Sequence, residues 1–313
     1  MALNEETPPK RPFQPGLAAF PRGTLARGLL LSLRPKQWTK NGLLFIGLIF
    51  ALKLGQLDLV VTAVLAFVDF CALASATYLI NDLADIENDR SHPKKRQRPI
   101  ASGWVPRGVA VATAVLLLSV GLPFAFTINV SFGLLAVAYV ALTLAYTYHL
   151  KHVVILDVFG LAAGFVLRAV AGAVAIDVPI SPWLYVCTIL GALFLGIGKR
   201  RHELLLLNSA ATNHRPILQQ YTTQLLDQMI GVVTAALVMA YSLYTFLAAP
   251  QQEQHAMMLT IPFVLYGIFR YLYLVHVNGD GGSPEEVLLR DRPLLIDGLL
   301  WLASSIVILY YLH

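Results

Sequence analysis

Long apolar segments alternate with short polar connections along almost the whole chain of 313 residues. Most of the apolar segments reach about 20 residues, the length at which an α-helix crosses the hydrocarbon core of a bilayer. The pattern predicts an all-α, polytopic membrane protein with nine transmembrane helices. The predicted spans are residues 42–57, 59–86, 108–127, 130–148, 153–176, 183–197, 225–249, 257–276 and 294–312.

The first part of the chain differs from the rest. Residues 1–33 open with the Pro-rich, polar sequence EETPPKRPFQPG, which predicts a disordered tail that ends in a short interfacial helix near residues 29–33. The tail contains no apolar segment followed by a small-residue cleavage site, so we expect no signal-peptide cleavage. Residues 34–313 are predicted to form one domain of nine transmembrane helices.

Composition supports the membrane assignment and argues against several kinds of site. Hydrophobic residues make up 57% of the chain and charged residues only 13%, whereas about 25% of a soluble domain is charged. Cys71 and Cys187 both lie inside apolar segments, which argues against a disulfide framework or a thiolate metal site. The sequence has no Gly-rich phosphate loop, no zinc-ligand spacing and no aromatic residues interleaved with its cationic loop. Membrane lipids are therefore expected partners, and nucleic acid is not.

Lysine and arginine are concentrated in one set of the predicted connections. That set contains residues 90–107, 151, 199–215 and 290–292, and the other set offers only Lys53. Because cytoplasmic loops of membrane proteins are enriched in Lys and Arg, the N-terminus is predicted to be cytoplasmic and the C-terminus outside. The charged connections share one face, so the predicted chemical site faces the cytoplasm.

The segment YLINDLADIENDRSHPKKRQRPIASG, residues 78–103, carries the strongest chemical signal. On a helix with 3.6 residues per turn, Asp82, Asp85 and Asp89 fall within an arc of roughly 60°, and Asn81 precedes them. A one-sided group of carboxylates suits Mg²⁺ that holds a polyphosphate. A helix end that meets water is the alternative explanation.

Cations follow these aspartates directly. Lys94, Lys95, Arg96 and Arg98 are predicted to neutralise phosphate charge on a bound substrate. The alternative is that they set the membrane topology and contact anionic lipids. Lys40, in the segment RPKQWTKN before the first predicted span, adds a further cation at the same interface.

The fifth predicted span contains two charged residues, Asp157 and Arg168. Eleven residues are close to three helical turns, so both side chains lie on one face of the helix. An arginine as deep as Arg168 needs a partner or a wet cavity. A structural salt bridge and an anion-binding cavity are both compatible with this position, and Tyr148 and Lys151 lie at its predicted mouth.

The sequence GKRRHELLLL continues the sixth predicted span beyond the membrane surface. Lys199 and Arg200 are predicted to face a second anionic group of a substrate. The alternative is a surface ion pair between Lys199 and Glu203, which lie one helical turn apart.

With these features in place, NDLADIENDR resembles the first aspartate motif of the UbiA superfamily of intramembrane prenyltransferases. The companion aspartates of that superfamily's second motif are missing here. LKHVVILDVFGLAAGFVLRAVAG, RPKQWTKN and GKRRHEL are instead similar to the decaprenyl-phosphate phosphoribosyltransferase branch. The resemblance implies a helical bundle around a cytoplasm-facing cavity, with Mg²⁺ as the cofactor.

The resemblance also implies an activity. It is the transfer of 5-phosphoribose from phosphoribosyl pyrophosphate to a decaprenyl-type polyprenyl phosphate, a step in cell-envelope lipid-linked pentose synthesis at a bacterial cytoplasmic membrane. Prenyl transfer to an aromatic acceptor and cation transport are the alternative functions, and homo-oligomer formation is left open. The implied catalytic residues are Asp82, Asp85, Asp157 and Arg168, and the implied metal ligands are Asp82, Asp85 and Asp89. The implied substrate-binding residues are Lys40, Asn81, Lys94, Lys95, Arg96, Arg98, Tyr148, Lys151, Lys199 and Arg200.

Overall fold

The fold is all-α, as the apolar pattern predicts. A computed structural model describes residues 23–91, 95–209, 216–248, 255–277, 287 and 290–311. The α-helices are α1 (Leu25–Ser32), α2 (Ile46–Phe50), α3 (Leu57–Ala84), α4 (Ile86–Ser91), α5 (Arg107–Ile128), α6 (Val130–Tyr148), α7 (Leu156–Ala175), α8 (Pro182–Ser209), α9 (Thr223–Leu243), α10 (Ile261–His276) and α11 (Arg292–Tyr311). Short 3₁₀ helices lie between several of them.

Within the described ranges, eight helices are long and apolar enough to cross a membrane. They are α3 and α5 to α11, and they correspond to the second to ninth predicted spans. A helix satisfies its own backbone hydrogen bonds, which is why apolar segments of this length form helices in lipid. The chain is an integral, multi-pass membrane protein.

The first predicted span, residues 42–57, has a different structure. It overlaps a 3₁₀ helix, Pro35–Phe45, which continues into the five-residue helix α2. Arg34, just before the 3₁₀ helix, contacts Asp82 near the end of α3. After α2, the backbone N–H of Leu54 donates to the Tyr310 hydroxyl near the end of α11 (3.1 Å). We call residues 34–54 the entry segment.

Small residues let the entry segment pack closely on α7. A Cβ atom at Gly172 would lie 2.0 Å from the carbonyl oxygen of Leu44, and one at Gly47 would lie 2.9 Å from the Cα atom of Ala173. Backbones can approach this closely only where side chains are minimal. These contacts fix the position of the entry segment against the bundle.

Helix α7 joins the two main apolar clusters of the bundle. Its Ala171 packs with Phe70 and Phe132 in a cluster built by α3, α5 and α6. Its Val158 packs with Ile197 and Leu226 in a second cluster built by α8, α9 and α10. Helix α7 therefore packs against both groups of helices.

Candidate active site

The aspartate motif lies where α3 gives way to α4. Asp82 and Asp89 are both 3% exposed, and both accept hydrogen bonds from the same nitrogen of Arg98, at 2.9 Å and 2.6 Å. Arg34 donates a second hydrogen bond to Asp82 from a backbone in the left-handed region (φ 55°). One guanidinium thus bridges two buried carboxylates, and a second guanidinium lies beside them.

The middle carboxylate of the motif faces a different partner. Helix α3 ends at Ala84, so the chain does not continue as one helix through Asp85. The Asp85 carboxylate accepts from the buried amine of Lys151 at 2.8 Å and 3.0 Å. Asn81, one turn earlier, accepts a hydrogen bond from Thr147 (3.3 Å). The predicted arc of three aspartates is therefore divided into a pair and a separate ion pair.

A divalent cation fits the pair better than it fits the triad. In the described part of the chain, no three acidic, histidine or cysteine side chains converge on one point. Asp82 and Asp89 already hold one cationic nitrogen between them. Mg²⁺ commonly takes one or two carboxylates and completes its shell with water and substrate phosphate oxygens. This donor set is suitable for such an ion.

The cations that follow the motif are placed unequally. Arg98 reaches the buried carboxylates, Lys95 is partly exposed, and Arg96 is exposed. Lys94 lies outside the described residues. In this loop, Arg98 contacts both carboxylates of the aspartate pair.

A second polar group forms at the first turn of α7. Asp157 is fully buried and accepts from Arg200 and from the Tyr221 hydroxyl (2.7 Å). Burial, with the hydrogen bond to Asp157, raises the pKa of Tyr221 to about 12, so the hydroxyl stays protonated and donates. Arg200 is also fully buried, and it donates to Glu203 and to the Tyr146 hydroxyl. Because each charge is paired, this group holds α6, α7 and α8 together.

Arg168 lies in a third group, deeper in α7. Its guanidinium donates to Asn41 (2.7 Å), to the Tyr139 hydroxyl (2.6 Å) and to the backbone carbonyl of Gly164 (2.8 Å). Its carbon Cζ also lies 4.7 Å from the Tyr139 ring centroid. None of its described partners is a carboxylate. The group links α7 to α6 and to the entry segment through neutral acceptors.

A cavity of about 650 Å³ lies between the entry segment, α7, α8, α9 and α11. We call it the main cavity. Lys40 and Lys199 line it together with apolar residues from Gly42 to Trp301. On α8 the lining extends from Leu184 to Lys199, a rise of about 22 Å at 1.5 Å per residue. It is an apolar space with two ammonium groups in its lining.

The structure thus groups most of the predicted site residues, but not all in one place. Lys151 joins Asp85, Arg200 joins Asp157, and Lys40 and Lys199 share the main cavity. Tyr148 is 53% exposed and belongs to none of these groups.

Several polar side chains in these groups are not among the site residues predicted from the sequence. Arg34 and Asn41 are the first and last residues of RPKQWTKN, the segment that also contains the predicted Lys40. Tyr139 and Tyr221 carried no signal in the sequence, because a tyrosine in or beside an apolar segment is ordinarily a packing residue.

Comparison with known proteins identifies the family. A sequence model of the UbiA prenyltransferase family matches residues 42–285. The chain belongs to the UbiA prenyltransferase family. The decaprenyl-phosphate phosphoribosyltransferase of Corynebacterium glutamicum is 37% identical over 295 residues, which cover 93% of this chain and 89% of that protein. The protein of the same description from Mycolicibacterium smegmatis is 35% identical over 304 residues, covering 94% and 96%.

The fold of a solved UbiA protein agrees. A UbiA homologue from Archaeoglobus fulgidus, bound to GPP and Mg²⁺, superposes with a TM-score of 0.68 at 20% identity, and the match covers 90% of this chain and 99% of that one. The superfamily predicted from NDLADIENDR, and the all-α UbiA-like fold, are confirmed.

We predict that loss of the Arg168 guanidinium lowers the stability of the protein. Arg168→Met removes hydrogen bonds to three neutral acceptors in the bundle. Hydrogen bonds to charged groups contribute a net of about 1.5–3 kcal/mol each, so we expect the detergent-solubilised variant to unfold at least several degrees below the wild type. The matched control is Arg107→Met, which removes an exposed ion pair with Glu87. Equal melting temperatures for the two variants would contradict a structural role for Arg168.

Proposed function

We propose that this UbiA-family protein transfers 5-phosphoribose from phosphoribosyl pyrophosphate to a decaprenyl-type polyprenyl phosphate and releases pyrophosphate. The observation that carries the proposal is the match to decaprenyl-phosphate phosphoribosyltransferases over more than nine tenths of this chain. The geometry supports it, because one aspartate pair and a lysine-lined apolar cavity suit a water-soluble diphosphate and a lipid phosphate.

The donor half-site is assigned to the end of α3. Asp82 and Asp89 would hold Mg²⁺, which when bound neutralises the pyrophosphate leaving group. Arg34 and Arg98 already contact these carboxylates. Both guanidinium groups are suited to bidentate contacts with phosphate oxygens. Carboxylates and cations at one point therefore provide for the metal and for the anionic donor.

The acceptor half-site is assigned to the main cavity. Its apolar walls suit a polyprenyl chain, and the ammonium groups of Lys40 and Lys199 suit the phosphate at the head of that chain. An ion pair with a phosphate gains strength where apolar walls exclude water. Lys40 lies six residues after Arg34 on the same entry segment, so the two half-sites are neighbours.

The groups in the two half-sites suit glycosyl transfer. Breaking the bond between the ribose anomeric carbon and pyrophosphate develops positive charge on the sugar, as in other glycosyl transfers. An oxygen of the lipid phosphate then forms the new bond to that carbon. Because this phosphate is already anionic at neutral pH, the reaction requires no strong general base. The buried Asp157, held by Arg200 and Tyr221, is assigned the structural task of keeping α7 and α8 in position.

We assign nine membrane crossings, with the entry segment as the first. A 3₁₀ helix rises about 2.0 Å per residue and an α-helix about 1.5 Å, so Pro35–Phe45 and α2 together are about 30 Å long. Arg34 contacts the Asp82 end of the bundle and Leu54 the Tyr310 end. With the Lys- and Arg-rich connections in the cytoplasm, the N-terminus and both half-sites are cytoplasmic and the C-terminus is outside.

The reaction is tested with purified protein in liposomes. Radiolabelled phosphoribosyl pyrophosphate and decaprenyl phosphate should give an organic-extractable product that requires Mg²⁺. Asp82→Asn should lower the rate at least about 100-fold because it weakens the metal and leaving-group site.

The control for this prediction is Glu87→Gln, which changes an exposed carboxylate in the same motif and should retain activity. No lipid product from the wild type, or transfer of a labelled prenyl diphosphate to an aromatic acid instead, would reject the assignment.

The topology is tested with C-terminal fusions. Alkaline phosphatase fused after His313 should be active and green fluorescent protein at the same position should be dark, since nine crossings place this end outside. Fusions after Ser102, in the connection between α4 and α5, should give the opposite pattern. A fluorescent fusion after His313 would indicate an even number of crossings.

A further inference from the structure

A second cavity adjoins the main one at the end of the bundle away from the aspartates. It has a volume of about 530 Å³, and we call it the distal cavity. It lies between the second half of α7, the connection from α7 to α8 and the end of α2. Its lining is mostly aliphatic, with Val170, Ala173 and Ile180 among the contributors, and Lys53 also lines it.

The two cavities share a wall. Phe50 and Tyr244 line both of them, together with Ile46, Leu184 and Thr188. The rings of Phe50 and Tyr244 meet edge to face, with centroids 6.0 Å apart. Two aromatic side chains therefore stand between a space that contains Lys40 and Lys199 and a space beyond it.

Both aromatic residues lie at the end of an α-helix whose position is fixed by local contacts. Tyr244 begins a π-helical turn, Tyr244–Ala248, at the end of α9. Such turns are rare and occur often at functional sites. Phe50 is the last residue of α2, and the Tyr310 hydroxyl donates to the carbonyl of Ile49 just before it (3.1 Å). The backbone on each side of the shared wall is thus held in place, and the two rings contact each other.

We propose that the distal cavity binds the far end of the polyprenyl chain, and that Phe50 and Tyr244 are the side chains past which the chain enters it. The inference rests on the proposed function. The ammonium groups of Lys40 and Lys199 fix where the phosphate sits, so the chain runs along α8 toward Leu184 and the shared wall. A short chain ends within the main cavity. A long chain continues into the distal cavity, where burial of each further CH₂ group favours binding.

If the distal cavity binds the far end of the chain, the enzyme should prefer long acceptors to short ones. This preference is measured as the kcat/KM for a long acceptor divided by the kcat/KM for a short one. Ala169 lines only the distal cavity, and Gly191 lines only the main cavity, where a Cβ atom would meet nothing within 4 Å. Ala169→Phe should lower the ratio of kcat/KM for decaprenyl phosphate to that for farnesyl phosphate about tenfold, a typical change for altered apolar pockets. The matched variant Gly191→Phe should impair both acceptors and leave the ratio within about twofold.

A labelling experiment on the wild-type protein is independent of these variants. Decaprenyl phosphate that carries a diazirine at its far end should crosslink to residues 178–182 and Tyr185, which line the distal cavity. Labelling confined to bulk lipid or to the main cavity would overturn the inference, as would an unchanged ratio in Ala169→Phe. Recovery of a tightly bound phospholipid at these residues, with no acceptor label, would also overturn it. If the wild type converts neither acceptor, the proposed function itself fails.

Discussion

A single buried guanidinium constrains the arrangement of both proposed half-sites. Arg168 lies inside the bundle, where an unsolvated charge is costly unless hydrogen bonds replace the lost water. Its acceptors come from the entry segment, α6 and α7 itself, through Asn41, Tyr139 and Gly164. Satisfying this side chain therefore fixes where the entry segment lies. The close contacts at Gly172 allow the backbone of the entry segment to come within reach.

The entry segment in turn carries cations to two places. Arg34 reaches the Asp82 carboxylate, and Lys40, six residues later, lines the main cavity. Because both belong to a segment locked against α7, their separation is set by backbone structure and not by flexible side chains alone. In the proposed reaction this arrangement holds a soluble donor and a lipid acceptor at adjacent points, and such preorientation is a large source of rate acceleration.

Sequence patterns predicted most of the fold and only part of the site. Apolar length located the eight long helices, and the spacing of acidic residues located the Asp82 region. The separation of Asp85 from its neighbours followed from a helix end at Ala84, which periodicity cannot reveal. The neutral partners of Arg168 depend on which helices become neighbours, and that is a tertiary property. The apolar pattern predicts one transmembrane helix over residues 42–57. The structure instead has the end of a 3₁₀ helix and a five-residue α-helix in this part of the chain.

The steady-state kinetics of Asn41→Ala test most directly whether the entry segment positions both proposed half-sites. Asn41 is buried and contacts Arg168, but it lies in neither proposed half-site. If it positions the entry segment, the variant should raise KM for phosphoribosyl pyrophosphate and for decaprenyl phosphate together, each by about tenfold, since misplacement of about 1 Å can cost more than that. A variant that folds normally and changes neither KM, or only one, would contradict the claim that one segment sets both half-sites.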